Sequence, residues 1–199
     1  MRLRTRLPRR GFSLIEALIC LTVITITSAA LLLSVESTLE ATMDAQEMTI
    51  ASGLADQMLD EALGQDWVDP TMSDPYPTSL SASTAEASAA GRSEYDDTDD
   101  YNDYTSTPPT SIDGITLGQS DGAGRYLPAS FQMSGSFLQR WRCKCEVYYV
   151  DKNDLSLELD DSNSGPYRAI EATVFHLDGT TWREVLTRRR VFTYVPPTT

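Results

Sequence analysis

Residues 9–35 read RRGFSLIEALICLTVITITSAALLLSV, and the rest of the chain is organised around this stretch. Five arginines (Arg2, Arg4, Arg6, Arg9 and Arg10) precede Gly11, and the 24 residues that follow, 12–35, carry one charged side chain, Glu16. As a helix rising ~1.5 Å per residue they cover roughly 36 Å, enough to cross a hydrocarbon core of about 30 Å. The stretch is predicted to span a membrane once. Lipid offers a carboxylate no partner, so Glu16, early in the apolar run, is expected to be functional and to require something that satisfies it. The leader arginines are expected to stay in the cytoplasm, which places everything after Val35 on the far side of the membrane.

The order and spacing of these features are specific. A short basic leader, Gly11, Phe12, then Ser13-Leu14-Ile15-Glu16 and an unbroken apolar run resemble the class III signal of type IV pilins and type II secretion pseudopilins, over about the first 35 residues. The resemblance implies cleavage between Gly11 and Phe12 by a prepilin peptidase on the cytoplasmic face. It also implies N-methylation of the new terminus at Phe12 and a role for Glu16 in subunit assembly. The partners it implies are that peptidase, other pilin or pseudopilin subunits and the inner-membrane assembly platform. Many pilins carry a helix-bending proline in the apolar run, whereas the first proline after Phe12 here is Pro70. An ordinary secretory signal, cut near Ser28, Ala29 and Ala30, fits less well. The apolar run is longer than the ~7–15 residues usual for such a signal, continues through Leu33, and contains Glu16. A plain uncleaved membrane anchor is the third reading.

With the membrane segment set aside, 199 residues leave room for one modest globular domain. The formal charge is −13, and loss of the five leader arginines leaves 11 basic against 29 acidic side chains, a mature charge of −18. Such a chain repels nucleic acid and anionic lipid surfaces, so no nucleic-acid partner is expected. No Lys or Arg occurs in residues 12–91.

From 36 to 64 there is no proline, and Gly53 is the one glycine before Gly64 among good helix formers, so the membrane helix is predicted to continue into the soluble part. Leu39, Met43, Ile50, Leu54 and Met58 fall on one stripe of a 3.6-residue helix and are expected to lie under a sheet, opposite an acidic face of Asp44, Asp56, Asp60 and Glu61. Pro70, Pro75 and Pro77 close the helical region. Residues 71–93, rich in Ser, Thr and Ala, read as a mobile loop, because they have little apolar surface to offset the entropy of ordering. Residues 94–104, EYDDTDDYNDY, hold Asp96, Asp97, Asp99, Asp100 and Asp103. Repulsion among them demands solvation or a cation. The spacing is not that of an EF-hand loop, and a solvated acidic loop is one expectation. Calcium bound by these five aspartates is the other: the D-D-x-D-D-Y core resembles an acidic stretch in minor pilins of the mannose-sensitive haemagglutinin D type, with Asn102-Asp103 where those have His-Gly. The interleaved Tyr95, Tyr101 and Tyr104 suggest that the segment packs down on something.

Turn residues fill 105–124, and then the period changes to two. Trp141, Cys143, Cys145, Val147 and Tyr149 alternate with polar neighbours, the pattern of a strand with one buried face. A second strand is predicted over 167–177 with Ile170, Ala172 and Val174 on one side. Asp178-Gly179 signals a hairpin, and 182–195 returns as a third strand. A further short strand is expected at 155–159. Cys143 and Cys145, two apart on one face, are too far separated for a disulfide and read as core packing. His176, the only histidine, has no Ser, Cys or Gly-rich motif beside it and supports no catalytic role. Arg188, Arg189 and Arg190 are expected either to answer the acidic loop or to guard a sheet edge. The fold class is α+β, a long N-terminal helix packed on a C-terminal antiparallel sheet. Its expected divisions are a leader (1–11), a membrane half-helix (12–35), a soluble half-helix (36–66), a Ser/Thr/Asp-rich loop region (67–136) and a sheet (137–199). The expected function is that of a minor pilin or pseudopilin. The alternative is a non-assembling, inner-membrane-anchored envelope protein whose acidic domain binds calcium or a partner.

Overall fold

One unbroken helix, α1, runs over Leu14–Ala62, as the absence of proline and the run of helix formers require. The computed structural model describes Gly11 and residues 13–120, 127–128, 130–160 and 162–196. The chain divides into two compact units, Met1–Gln46 and Glu47–Thr199. In the first unit the described residues are the start of α1, whose aliphatic side chains are exposed all round. Its threonines turn their hydroxyls back onto the helix: Thr22 donates to the Ile19 carbonyl at 2.8 Å, Thr25 to Thr22 at 2.8 Å, and Thr38 to Ser34 at 2.8 Å. Each hydroxyl is thereby satisfied without water, as a helix in hydrocarbon requires.

The second unit is built on a four-stranded antiparallel sheet in the order β1-β2-β3-β4, with β1 at Thr105–Ser106, β2 at Trp141–Tyr149, β3 at Tyr167–Asp178 and β4 at Thr181–Thr193. Strict alternation buries Trp141, Cys143, Cys145, Val147 and Tyr149 of β2, and Ile170, Ala172 and Val174 of β3 join them. Onto this face α1 lays Ala51, Leu54, Ala55, Met58, Leu59 and Ala62, spaced three and four apart. The β3–β4 hairpin closes with Asp178 opposite Thr181, and Gly179 takes the left-handed φ of 60° that the turn needs. A bulge leaves Val185 of β4 without a partner between the Val174–Leu186 and Phe175–Glu184 pairs. Both strand cysteines are free and buried, and burial pushes each thiol up to about 12.

Several expectations are corrected. Leu39 and Met43 do not lie under the sheet: they belong to the first unit and are 59% and 69% exposed, so only Ile50, Leu54 and Met58 of the expected stripe are covered. The acidic side of α1 also meets the sheet, where Arg188 of β4 binds Asp56 at 2.6 Å and Arg190 binds Asp60 at 2.9 Å. These arginines therefore answer the helix and not the acidic loop, while Arg189, on the other face, donates to the Tyr148 hydroxyl at 2.8 Å. Residues 155–159 form no strand, only an isolated bridge between Val150 and Glu158. Residues 71–93 hold defined structure. Trp67 Nε1 donates to the Pro75 carbonyl at 2.6 Å and Tyr149 Oη to that of Pro77 at 2.8 Å. A four-residue helix, α2 (Thr84–Ala87), is started by a capping box of Ser83 and Glu86. At Gly91, φ 112°, a Cβ would collide with the backbone of residues 112–114; this crossing lets Arg92 enter the core.

Candidate functional site

Two places carry chemistry beyond packing: the start of α1 and the acidic loop. Ser13, immediately before α1, accepts a hydrogen bond from the Glu16 amide on its hydroxyl at 3.3 Å, and Glu16 Oε2 accepts from the Ser13 amide at 3.4 Å. This is a capping box, two of the helix's orphan amides satisfied reciprocally. The carboxylate also sits where the positive end of the helix dipole favours it. Glu16 thus finds local partners in Ser13 and its own helix start. Both side chains are exposed, which leaves the carboxylate open to a further partner. Gly11 is exposed, with open space where a side chain would stand. Phe12 and the leader arginines lie outside the described residues.

The acidic loop is solvated only in part, at Asp96 and Asp103. Asp97, Asp99 and Asp100 are 3%, 5% and 4% exposed, because the segment turns through a short 3₁₀ helix, Asp99–Tyr101, and is tied to the residues that follow α1. Thr98 donates its amide to the Asp66 carbonyl at 2.9 Å. The carboxylates satisfy backbone donors: Asp97 Oδ1 accepts from the amides of Asp99 at 2.8 Å and Asp100 at 3.2 Å, and Asp100 Oδ2 accepts from Asp96 at 3.0 Å. Asp99 accepts from Arg168 of β3 at 3.2 Å; that guanidinium is itself buried, stacked over Trp67, and donates to Tyr149 Oη at 3.0 Å. Burial pushes Asp97 up to about 7, helped by Asp99, and Asp100 up to about 7, helped by Asp97. Burial also raises Asp99, against the pull of Asp97 and Arg168.

Among the described residues, the metal-binding atoms that converge within 4.8 Å of one another belong to Glu86, Asp96 and Asp100. All are hard carboxylate oxygens, the donor type calcium prefers. Asp97 and Asp99 turn instead to backbone amides and Arg168, and Asp103 stands apart, exposed and at a left-handed φ of 57°. A second buried cation closes the neighbouring wall. Arg92 binds Glu61 near the end of α1 at 2.6 and 2.9 Å and contacts the Tyr104 hydroxyl, while Tyr101 Oη donates to Glu61 at 3.1 Å. Burial opposes the Arg92 charge, but Glu61 and Tyr104 more than offset it and hold its pKa above the ordinary value.

A family model of the prokaryotic N-terminal methylation motif matches residues 6–32. The chain carries a type IV pilin-like prepilin signal. No curated protein and no solved structure matches the chain. The prepilin signal implies processing by a prepilin peptidase and pilin-type partners, and pilin-type proteins are structural, non-enzymatic subunits. With α1, whose apolar stretch is long enough to cross a membrane, the signal fits membrane anchoring. A long N-terminal apolar helix followed by a C-terminal antiparallel sheet is likewise pilin-like. Sequence reasoning missed Ser13 and Glu86, although both lie in S-x-x-E patterns that signal a capping box. It also missed Arg92 and Arg168, for which only their isolation among acidic and aromatic residues gave a signal.

Proposed function

We propose that this protein is a minor pilin or pseudopilin subunit of a type IV pilus or type II secretion pseudopilus. The leader, 1–11, is removed between Gly11 and Phe12 by a prepilin peptidase on the cytoplasmic face, and Phe12 is then N-methylated. Residues 12–35 hold the subunit in the inner membrane, while 36–66 continue the helix outside it; the loop region 67–136 and the sheet region 137–199 lie on the periplasmic side. Glu16 pairs with the α-amino group of a neighbouring subunit as the assembly platform adds each copy. The subunit itself is not an enzyme and binds no nucleic acid. The observation that carries this reading is the signal itself, a basic leader and Gly11 set directly before an apolar helix with one carboxylate in its first turn. Supporting the role of Glu16 is its exposure: the capping box uses the Ser13 amide and leaves carboxylate lone pairs free.

Intact-mass measurement of the mature protein tests the first step, with Gly11→Val as the comparison. The peptidase subsite for the residue before the cut must be narrow, so Gly11→Val is expected to keep its leader. A natural terminus at Leu31, or a Gly11→Val protein that still begins at Phe12, would overturn the assignment. Glu16→Ala is expected to be processed and retained in the membrane, since the apolar length is unchanged, yet to stay out of filaments. Its normal incorporation beside wild-type partners would remove Glu16 from assembly. A second reading rests on the convergence of Glu86, Asp96 and Asp100: in it, calcium bound at the acidic loop steadies the domain. Millimolar calcium should then raise the melting temperature of the full chain in detergent, and an unchanged value would set this reading aside.

A further inference from the structure

We propose that the outer edge of β4 is a docking site for an extended, acidic segment of another protein, which adds to the four-stranded sheet as one more strand. The two edges of the sheet are built differently. On the β1 side the outward backbone of β2 is taken up along its length. Thr105 and Ser106 pair with Lys144 and Cys143, the Cys145 amide donates to the Tyr104 carbonyl at 2.9 Å, and the Val147 amide donates to Asn102 Oδ1 at 2.9 Å. The Tyr149 carbonyl accepts from the Leu159 amide, again at 2.9 Å. β4, at the other end of the strand order, has no such cover among the described residues. The Tyr194 amide donates to the Pro166 carbonyl at 3.0 Å, which sets the phase of the β3–β4 ladder: Leu186, Arg188, Arg190 and Phe192 turn their backbone groups to β3. Thr187, Arg189 and Val191 therefore turn theirs outward, and among the described residues nothing bonds these amides and carbonyls. Such a row is a template for a further strand.

The residues along the row decide what it accepts. Residues 186–193, LTRRRVFT, hold no proline, glycine or lysine, and the bulge at Val185 lies before them, so the usual obstacles to strand addition stand outside this run. What the run does hold is positive charge. β4 carries Arg183, Arg188, Arg189 and Arg190, four of the 11 basic side chains that follow Phe12, against one acid, Glu184. Asp56 and Asp60 of α1 answer Arg188 and Arg190 from one side only, and the two arginine side chains stay 42% and 45% exposed. Arg190 uses Nη1 for its hydrogen bond to Asp60 at 2.9 Å, while its Nη2 stands 3.8 Å from Asp56. A guanidinium offers several N–H donors, so some remain at the edge for a carboxylate on an added strand. A second β4 in a two-fold register centred on Arg189 would set three consecutive arginines against three. Like charges on facing strands repel and opposite ones attract, so the edge rejects a copy of itself and selects an acidic segment.

The probe is a capped peptide of about nine residues, a common strand length, alternating threonine and glutamate and added to the full chain in detergent micelles. Hydrogen exchange should report it with a period of two. The amides of Thr187, Arg189 and Val191 are expected to slow by about 10-fold or more, while those of Arg188 and Arg190, already in the ladder, change by less than about 2-fold. The matching threonine–lysine peptide should bind at least about 10-fold more weakly, and the glutamate peptide N-methylated at every amide should not bind. Arg188→Gln with Arg190→Gln should weaken the glutamate peptide by about 5-fold or more; should that variant not fold, the three peptides on the wild type carry the test. Binding without the alternating pattern, equal binding of the glutamate and lysine peptides, binding of the N-methylated one, or no binding would each overturn the site. So would slowing of the same three amides as the protein is concentrated without peptide, which would assign the edge to a second copy. No arm depends on leader removal, so failure here leaves the prepilin reading untouched.

Discussion

In residues 14–46 α1 turns Ile15, Leu18, Leu21, Ile24 and Leu32 outward, each more than half exposed, whereas in residues 47–62 Ala51, Ala55, Leu59 and Ala62 are fully buried. Backbone and helix propensity barely distinguish the two stretches. Side-chain size and the placement of charge do. Over residues 14–35 the first stretch is ringed by large aliphatics, carries Glu16 as its one charge and turns threonine hydroxyls back onto the helix, while the second puts small alanines toward the sheet and carboxylates to its flanks. A helix that is apolar all round is completed by something outside the chain, and an amphipathic one is completed by the chain's own sheet. The two ends carry the same contrast in their carboxylates: Glu16 has the Ser13 amide for a partner, and Glu61 has a buried guanidinium and a phenol.

The largest effect should come from breaking that second end. Arg92 is fully buried, and its removal leaves Glu61 and the Tyr104 and Thr110 oxygens facing one another without their cation. Arg92→Ala is expected to cost about 3–5 kcal/mol, the range for orphaning one partner of a buried pair. Chemical denaturation of the full chain in detergent measures it, and a loss under about 1 kcal/mol would mean that Glu61 takes up a proton or reaches water at little cost. Next in size is the packed face itself. Leu59→Ala should destabilise the globular unit by about 2–5 kcal/mol through the cavity it leaves. Leu32→Ala, the same chemical change in the first stretch, should shift the same transition by less than about 0.5 kcal/mol. Equal losses from both would erase the contrast between the stretches.

The elements governed by period and punctuation were legible in the sequence: α1 from its unbroken helix formers, β2 from strict alternation, and the hairpin from Asp178-Gly179. The prepilin signal was legible for a similar reason, since its parts lie within about a dozen residues and depend on no distant contact. What escaped is non-local. Residues 71–93 lack an apolar core of their own, but Trp67, Tyr149 and Arg92 lend them hydrogen bonds and backbone crossings that composition cannot show. Asp97, Asp99 and Asp100 look solvated when counted as charges; they are buried because they cap amides within the loop and because Arg168 comes from a strand about seventy residues away.

That loop supplies the next effect. Asp97 and Asp100 are pushed up to about 7 in the folded protein by burial, against about 3.9 for an unperturbed aspartate. Each holds its proton more tightly folded than unfolded, so the stability linked to it is fully present below about pH 4 and is lost as the pH rises through about 7. In chelator, the melting temperature should therefore fall between pH 5.5 and 8.5, by an amount on the order of 1–3 kcal/mol in stability. The isosteric pair Asp97→Asn and Asp100→Asn should flatten most of that slope. A flat wild-type profile would show that both carboxylates ionise in the fold without penalty.

The smallest effect separates packed from merely touching charge. Arg188 and Asp56 meet at 2.6 Å with side-chain exposures of 42% and 34%, and Arg190 approaches the same carboxylate at 3.8 Å, so solvent and salt reach every member of this flank. An exposed pair is worth about 0.2–1 kcal/mol and weakens as salt shortens the screening length. Here Arg188 also donates to the Ser52 hydroxyl at 2.8 Å, which keeps the guanidinium placed when Asp56 is removed and limits what the pair alone contributes. A double-mutant cycle of Arg188→Ala and Asp56→Ala should give a coupling of less than about 1 kcal/mol that shrinks by half or more in about 1 M salt. The Arg92–Glu61 cycle should hardly respond to the same salt, because no screening ion reaches a buried pair. If the surface coupling instead matches the buried one and ignores salt, the flank of β4 belongs energetically to the core, and the boundary between the buried and exposed sides of α1 would have to be drawn beyond Asp56.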